Sequence, residues 1–220
     1  EFNPGGLAVL WAEENSRDSL FAAMRRREAY GTSGPRLVVR FFGGADLPAD
    51  LCARPDFVAQ GYARGVPMGG TLPAGGQAPA FAVMALRDPA ESVALERIQI
   101  VKAWLEQGEA RERVYDVAGG RGRAGVDPSS CEPYGEGADT LCAVWRDPEF
   151  VPDRAAVYYA RVLQNPTCRW SAYLCNAAGI RCDQPASIRA GFEECCDARY
   201  PRALQERAWT SPIWFEGGGR

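Results

Sequence analysis

The chain has 220 residues, a net charge of -3 and a pI near 5.2, with 46% hydrophobic and 24% charged residues. That length and balance allow one large or two small domains with a real core, and argue against a disordered chain. They also exclude the concentrated positive surface that broad nucleic-acid affinity requires, so no nucleic-acid partner is expected. No apolar run approaches the roughly 20 residues needed to span a bilayer.

In chain order, Glu1–Gly6 carries no initiating methionine and reads as the start of a fragment. Residues 15–30 then form the one clear expected helix. Asn15 or Ser16 caps its N-terminus, Asp18 lies in the first turn, and Leu20, Phe21 and Met24 fall on one face. Arg25, Arg26 and Arg27 occupy the last turns and Gly31 is the expected stop. After it the pattern changes to period two. Strands are expected at Leu37–Phe42, Ala80–Leu86, Arg97–Trp104, Arg113–Val117, Leu141–Trp145, Val157–Leu163 and Ser211–Phe215. Pro48, Gly69-Gly70, Gly75-Gly76, Asp88-Pro89, Gly119-Gly120 and Asp147-Pro148 punctuate them, and Gly119–Gly125 reads as the most flexible loop. Such a series predicts a mainly β, antiparallel, immunoglobulin-like sandwich over residues 35–220. The helix does not belong naturally to it, and residues 1–34 read as the closing segment of an incomplete upstream α/β domain.

Eight cysteines without a single histidine is the compositional signature. Imidazole is the side chain that titrates near neutrality and ligates catalytic metals, and it is missing here. No C-x-x-C pair is present, so zinc-knuckle geometry is excluded and Cys52, Cys131, Cys142, Cys168, Cys175, Cys182, Cys195 and Cys196 read as disulfides. Cys131 and Cys142 bracket a Gly/Pro-rich loop and form one expected pair. Adjacent Cys195 and Cys196 point apart and should find different partners. The segment Asn165–Pro201 shows little apolar period, so bridges are expected to hold it. An oxidised protein of this kind belongs in the periplasm or outside the cell.

Four residues offer conceivable chemistry. Glu13 and Glu14 could do acid–base work if their environments separated their pKa values, but favourable charge at a helix N-terminus accounts for them better, and adjacent side chains diverge in direction. Thr32 and Ser33 lie in a Gly-rich turn that could face an anion, but Ser33 has no histidine base. The six tryptophans read as core or partly buried. Asp46, Asp50 and Asp56 lack the close alternation of a calcium loop.

Several stretches carry a family resemblance. VRFFGGADLPADLC (39–52), GVPMGG (65–70), RIQIVKAW (97–104), VYDVAG (114–119), YYARVLQNPTCRWSAYLCN (158–176) and QERAWTSPIWF (205–215) resemble the C-terminal portion of a bacterial family described as domain of unknown function 3604. WAEENSRDSLFAAMRRREAYGTSGPR (11–36) is similar to the closing segment of the PHP (polymerase and histidinol phosphatase) phosphoesterase domain. The resemblance implies an upstream barrel with His and Asp ligands for divalent metals, in an exported hydrolase of phosphate esters. None of those ligands lies in this chain, so no cofactor is expected within it and the chain alone should be inactive. Its expected role is a non-catalytic accessory part, with the upstream domain packing on the 15–30 helix. The alternatives are a secreted module binding carbohydrate or protein through surface aromatics, and a metal-free hydrolase using Glu13 or Glu14.

Overall fold

The computed structural model describes residues 5–90, 93–120 and 122–218. The architecture is mainly β, with several antiparallel sheets, three α-helices and four disulfides. Ten strands of three residues or more are present among the described residues: β1 (Leu7–Leu10), β2 (Ala29–Thr32), β3 (Val38–Gly44), β4 (Ala80–Leu86), β5 (Leu95–Glu106), β6 (Glu109–Gly119), β7 (Thr140–Arg146), β8 (Ala156–Gln164), β9 (Arg207–Thr210) and β10 (Ile213–Phe215). The helices are α1 (Arg17–Arg26), α2 (Phe57–Arg64) and α3 (Trp170–Ala177).

The larger sheet runs β1-β2-β9-β8-β5-β6. β10 continues alongside β8 after β9 and pairs in parallel with Thr71–Leu72. The second sheet runs β7-β4-β3, with Val66–Pro67 on its edge. Alternation sends Val39, Phe41, Phe81 and Val83 of one sheet and Ile98, Ile100, Tyr158, Ala160 and Val162 of the other into one shared core. The opposite face of β3 and β4 buries Phe42, Ala80 and Ala82 beneath Leu47, Leu51 and Phe57.

All seven expected strands are present, several of them longer than expected. β1, β2, β9, α2 and α3 were not foreseen. The expected helix over 15–30 is shorter. Ser16 caps it by accepting from the Ser19 amide at 3.3 Å, and it ends at Arg26 because Arg27 turns left-handed (φ 58°). The Gly69 backbone, itself at φ 85°, approaches that turn so closely that a Cβ there would lie 2.3 Å from the Arg27 carbonyl oxygen. Arg27 Nε donates to the Gly69 carbonyl at 3.1 Å and closes the corner. Gly31 is therefore no helix stop. It lies inside β2, opposite Ala8 on one side and Trp209 on the other. Residues 1–34 contribute β1 and β2 to the larger sheet, so a line drawn at residue 34 separates β2 from the strand it is bonded to. The loop expected at Gly119–Gly125 includes residue 121, which lies outside the described residues, as do residues 1–4 of the N-terminal stretch.

The bridges are Cys52–Cys142, Cys131–Cys168, Cys175–Cys195 and Cys182–Cys196. The expected Cys131–Cys142 pair is wrong, and strand alternation explains why. Cys142 projects from β7 on the same side as Val144, against the layer that holds Phe42 and Leu51, where Cys52 lies in a short 3₁₀ turn at Leu51–Ala53. Cys131 instead packs beside Val126, Cys168 and Ala172. Cys195 and Cys196 do take different partners. Three bridges converge on the 165–201 lobe, where the half-cystines Cys168, Cys175 and Cys195 make up half of two small buried clusters. The lobe should therefore come apart on reduction while the sheets persist, since each bridge contributes about 2–4 kcal/mol to a segment with little apolar core of its own. Hydrogen exchange in dithiothreitol checks this, with lost protection expected in α3 and retained protection in β4 and β5.

Lys102, the only lysine, is 2% exposed and pairs with the fully buried Asp147. Lys102 Nζ also donates to the Glu149 carbonyl at 2.9 Å, and Tyr158 Oη donates to Asp147 Oδ2 at 2.8 Å. Removing one partner strands the other as an unpaired buried charge, so Lys102→Ala should cost about 3–5 kcal/mol, whereas Lys102→Met combined with Asp147→Leu should cost clearly less than the two singles summed. Urea denaturation of the three variants tests this.

Alkaline pH probes the same region. Burial, then the bond to Asp147, raises the Tyr158 hydroxyl, and burial, then the bond to Glu149, pushes Tyr115 up to about 12 from 10.0. Each folded value exceeds the unfolded one, so the stability they contribute is whole below pH about 10 and declines as pH rises through about 12. Stability measured from pH 9 to 12 should fall, and Tyr158→Phe or Tyr115→Phe should flatten the fall.

Candidate functional site

A cavity of about 550 Å³ opens between the end of β1, the C-terminus of α1, β3 and α2. Its size lies within the roughly 300–1,000 Å³ of small-molecule sites. Trp11, Glu13, Arg26, Glu28, Arg40 and Tyr62 line it, with Ala12 and Pro67 completing the wall.

Local folding places each of these side chains. Trp11 follows β1 and anchors its indole N–H on the Val39 carbonyl at 2.9 Å. Arg40 lies between inward-facing Val39 and Phe41, so alternation turns it to the opposite face, where its guanidinium stacks 3.2 Å from the Trp11 ring centre. Gly61 lets α2 press onto β3, since a Cβ there would fall 2.5 Å from the Phe42 ring. With α2 so close, the Tyr62 ring meets Phe42 edge-on with centroids 5.1 Å apart. Its hydroxyl then reaches Glu28.

The result is a directed chain of hydrogen bonds. Arg40 donates to Tyr62 Oη at 3.2 Å, Tyr62 donates to Glu28 Oε1, and Arg26 donates to Glu28 Oε2 at 3.4 Å. The Glu28 side chain is 4% exposed, and these charged and hydroxyl donors are what a carboxylate so buried requires. Burial first, and the Glu28 contact second, raise the Tyr62 hydroxyl above its ordinary value and keep it a donor. Arg26 is thus matched by Glu28, while among the described residues Arg40 has no carboxylate within ion-pair distance. Chemically the site can recognise a polar, charged molecule. It presents a fixed cation, a positioned hydroxyl and an aromatic wall, but no activated nucleophile.

Glu13 stands exposed on the rim of this cavity; Glu14 is exposed, and its backbone amide donates to Ser19 Oγ at 3.4 Å. Thr32 and Ser33 lie at the other end of the β1–β2 ladder, where Leu7 pairs with Thr32 and Leu10 with Ala29, a strand length of roughly 10 Å away. Thr32 Oγ1 is buried and accepts from the Gly34 amide at 3.3 Å. Ser33 Oγ donates to Glu206 and accepts from the Arg207 amide at 2.9 Å. The glutamates and the hydroxyls are therefore not brought together. Arg40 and Tyr62 were not singled out from the sequence, and Trp11 only as one of six tryptophans expected to be core or partly buried; the three lie on separate segments, and no spacing signal joins them.

The donor set for a metal is poor. All eight cysteines are oxidised, histidine is absent, and among the described residues no group of three or more Cys, Asp or Glu could hold an ion. The divalent metals implied for an upstream domain would have to find their ligands there.

Of the tryptophans, Trp11, Trp104 and Trp145 pack against the main core, but Trp170, Trp209 and Trp214 are exposed, against expectation. On β9 and β10 the buried alternates are Ala208, Thr210, Ile213 and Phe215, which leaves Trp209 and Trp214 on the outer face.

Fold and site define a disulfide-bonded, mainly β protein with a small polar cavity at the junction of its two larger sheets and a helix. A family model described as a protein of unknown function (DUF3604) matches residues 1–217, and the chain belongs to that family. No curated protein and no solved structure matches it. Among the described residues no helix is long and apolar enough to cross a membrane, and four disulfides are consistent with an exported protein.

Proposed function

We propose that this chain is the non-catalytic accessory part of an exported, periplasmic or extracellular, metal-dependent hydrolase of the PHP kind, docked on its catalytic domain through α1. One observation carries the reading. α1 buries only Ala23 and turns Phe21 and Met24 outward, 56% and 52% exposed. A surface helix ordinarily buries its apolar residues and shows its polar ones, so Phe21 and Met24, standing outside among exposed Arg17, Asp18 and Arg25, leave apolar area to be covered by another surface. The lack of histidine and of free thiols supports assigning the reaction to residues elsewhere.

A second reading, a carbohydrate-binding module, draws on the outer face of the larger sheet. Trp209 pairs with Arg161 and Trp214 with Val157, which places the two indoles roughly 13 Å apart along β8, with Tyr159 facing outward between them. Aromatic faces in a row suit the apolar faces of successive sugar rings.

One pair of substitutions separates these readings. Phe21→Glu with Met24→Glu should shift the unfolding free energy of the isolated chain by less than about 0.5 kcal/mol. The same pair should weaken its binding to the separately expressed upstream domain by about tenfold to a hundredfold. The isolated chain should turn over no phosphodiester with added manganese or zinc. An upstream reading frame without a His/Asp-rich domain, or unchanged binding by the double variant, overturns the accessory reading. Retention on insoluble polysaccharide that disappears with Trp209→Ala and Trp214→Ala supports the second.

A further inference from the structure

The geometry points to the cavity at Trp11, Arg40 and Tyr62 as a receptor for a small organic carboxylate, with Arg40 as the group that grips it. The inference is independent of what docks on α1. Three observations converge on Arg40. Its guanidinium is held over the Trp11 ring, at 3.2 Å from the ring centre, so little rotamer freedom is left to lose when a ligand arrives. One N–H is committed to Tyr62 Oη at 3.2 Å, and that oxygen can accept because its own proton goes to the buried Glu28. The remaining donors meet no carboxylate among the described residues, although they border a cavity of about 550 Å³.

Charge decides the class of ligand. Glu28 neutralises Arg26, leaving half-buried Arg40 as the cation of the described lining with no carboxylate in ion-pair range, while Glu13 is exposed at the rim. A single planar carboxylate matches one planar fork in both charge and shape. A phosphate dianion would bring a second negative charge near Glu28 and Glu13, with no second free cation among the described lining residues to meet it. The volume leaves room for an attached ring, and Tyr62 and the rim residues offer it polar partners. A sugar acid has this chemistry.

Galacturonate is a suitable probe, with neutral galactose and inorganic phosphate as comparison arms, followed by calorimetry and tryptophan fluorescence on the full chain. Galacturonate should bind, galactose should bind at least about tenfold more weakly, and phosphate should not compete. Arg40→Lys keeps the charge but loses the fork, and should weaken binding by about tenfold or more with an unchanged melting temperature. Glu13→Gln removes a rim charge and should tighten binding by about two- to fivefold, a gain that misfolding cannot imitate. No binding of galacturonate, equal binding of galactose or phosphate, or full affinity in Arg40→Lys overturns the assignment.

Discussion

The Lys102–Asp147 ion pair, bridged to Tyr158, fixes how the two larger sheets meet. Lys102 on β5 and Tyr158 on β8 face each other in the larger sheet, whereas Asp147 directly follows β7 of the other. Burying two charges carries a desolvation cost of several kcal/mol for each ion, which their attraction offsets only with good geometry and further hydrogen bonds. Those bonds are present: the Glu149 carbonyl takes a second lysine proton, and the Glu149 amide donates to Asp147 Oδ1 at 2.9 Å. Tyr158 also packs on Phe81 of the opposite sheet, with ring centres 4.3 Å apart. An apolar interface tolerates sliding by one side chain; a charged one does not, because each displaced partner becomes an unpaired buried ion. The pair thus converts a nonspecific hydrophobic sandwiching of sheets into one alignment.

That alignment sets up everything at the far edge. β3 is held flat by the shared core on one face, so its other face is free to take α2, Tyr62 and the stacked Arg40. The disulfide lobe follows a different principle. Its two small clusters mix half-cystines with a few apolar residues such as Ala172 and Ile180, and covalent closure supplements the little area they bury. Body and lobe thus represent two solutions to the same entropy problem, one by area buried and one by restricting the unfolded chain.

What could be read from the residues follows from range. Period-two alternation is local, so the six strands of seven residues or more announced themselves, down to the ends of Ala80–Leu86. β1, β2 and β9 are four residues each, too short to carry a period, and β2 contains Gly31, whose usual meaning near a helix end misleads. α2 carries Gly61 in its interior for a reason seen only in three dimensions, the ring of Phe42. The cysteine total gave the oxidation state, and adjacency separated Cys195 from Cys196, but the Cys52–Cys142 bridge spans 90 residues and depends on which face of β7 Cys142 occupies. The cavity was legible least of all. Its six polar and aromatic residues come from four segments, and what matters about Arg40 is that no carboxylate among the described residues pairs with it, which no spacing encodes.

The absence of histidine gains a second meaning once the cavity is in view. All cysteines are bridged and the only lysine is buried in an ion pair. No side chain of the kinds that ordinarily change charge between pH about 5 and 8 is therefore present. The guanidinium groups stay charged throughout. They are also used repeatedly against aromatic rings, as in Arg40 on Trp11, Arg154 over Trp104 at 4.8 Å and Arg113 over Tyr115 at 5.7 Å. Stacking suits arginine because its planar cation is weakly hydrated and loses little on contact with a ring. A receptor built on Arg40 then reads the charge of its ligand through a guanidinium and not through an imidazole.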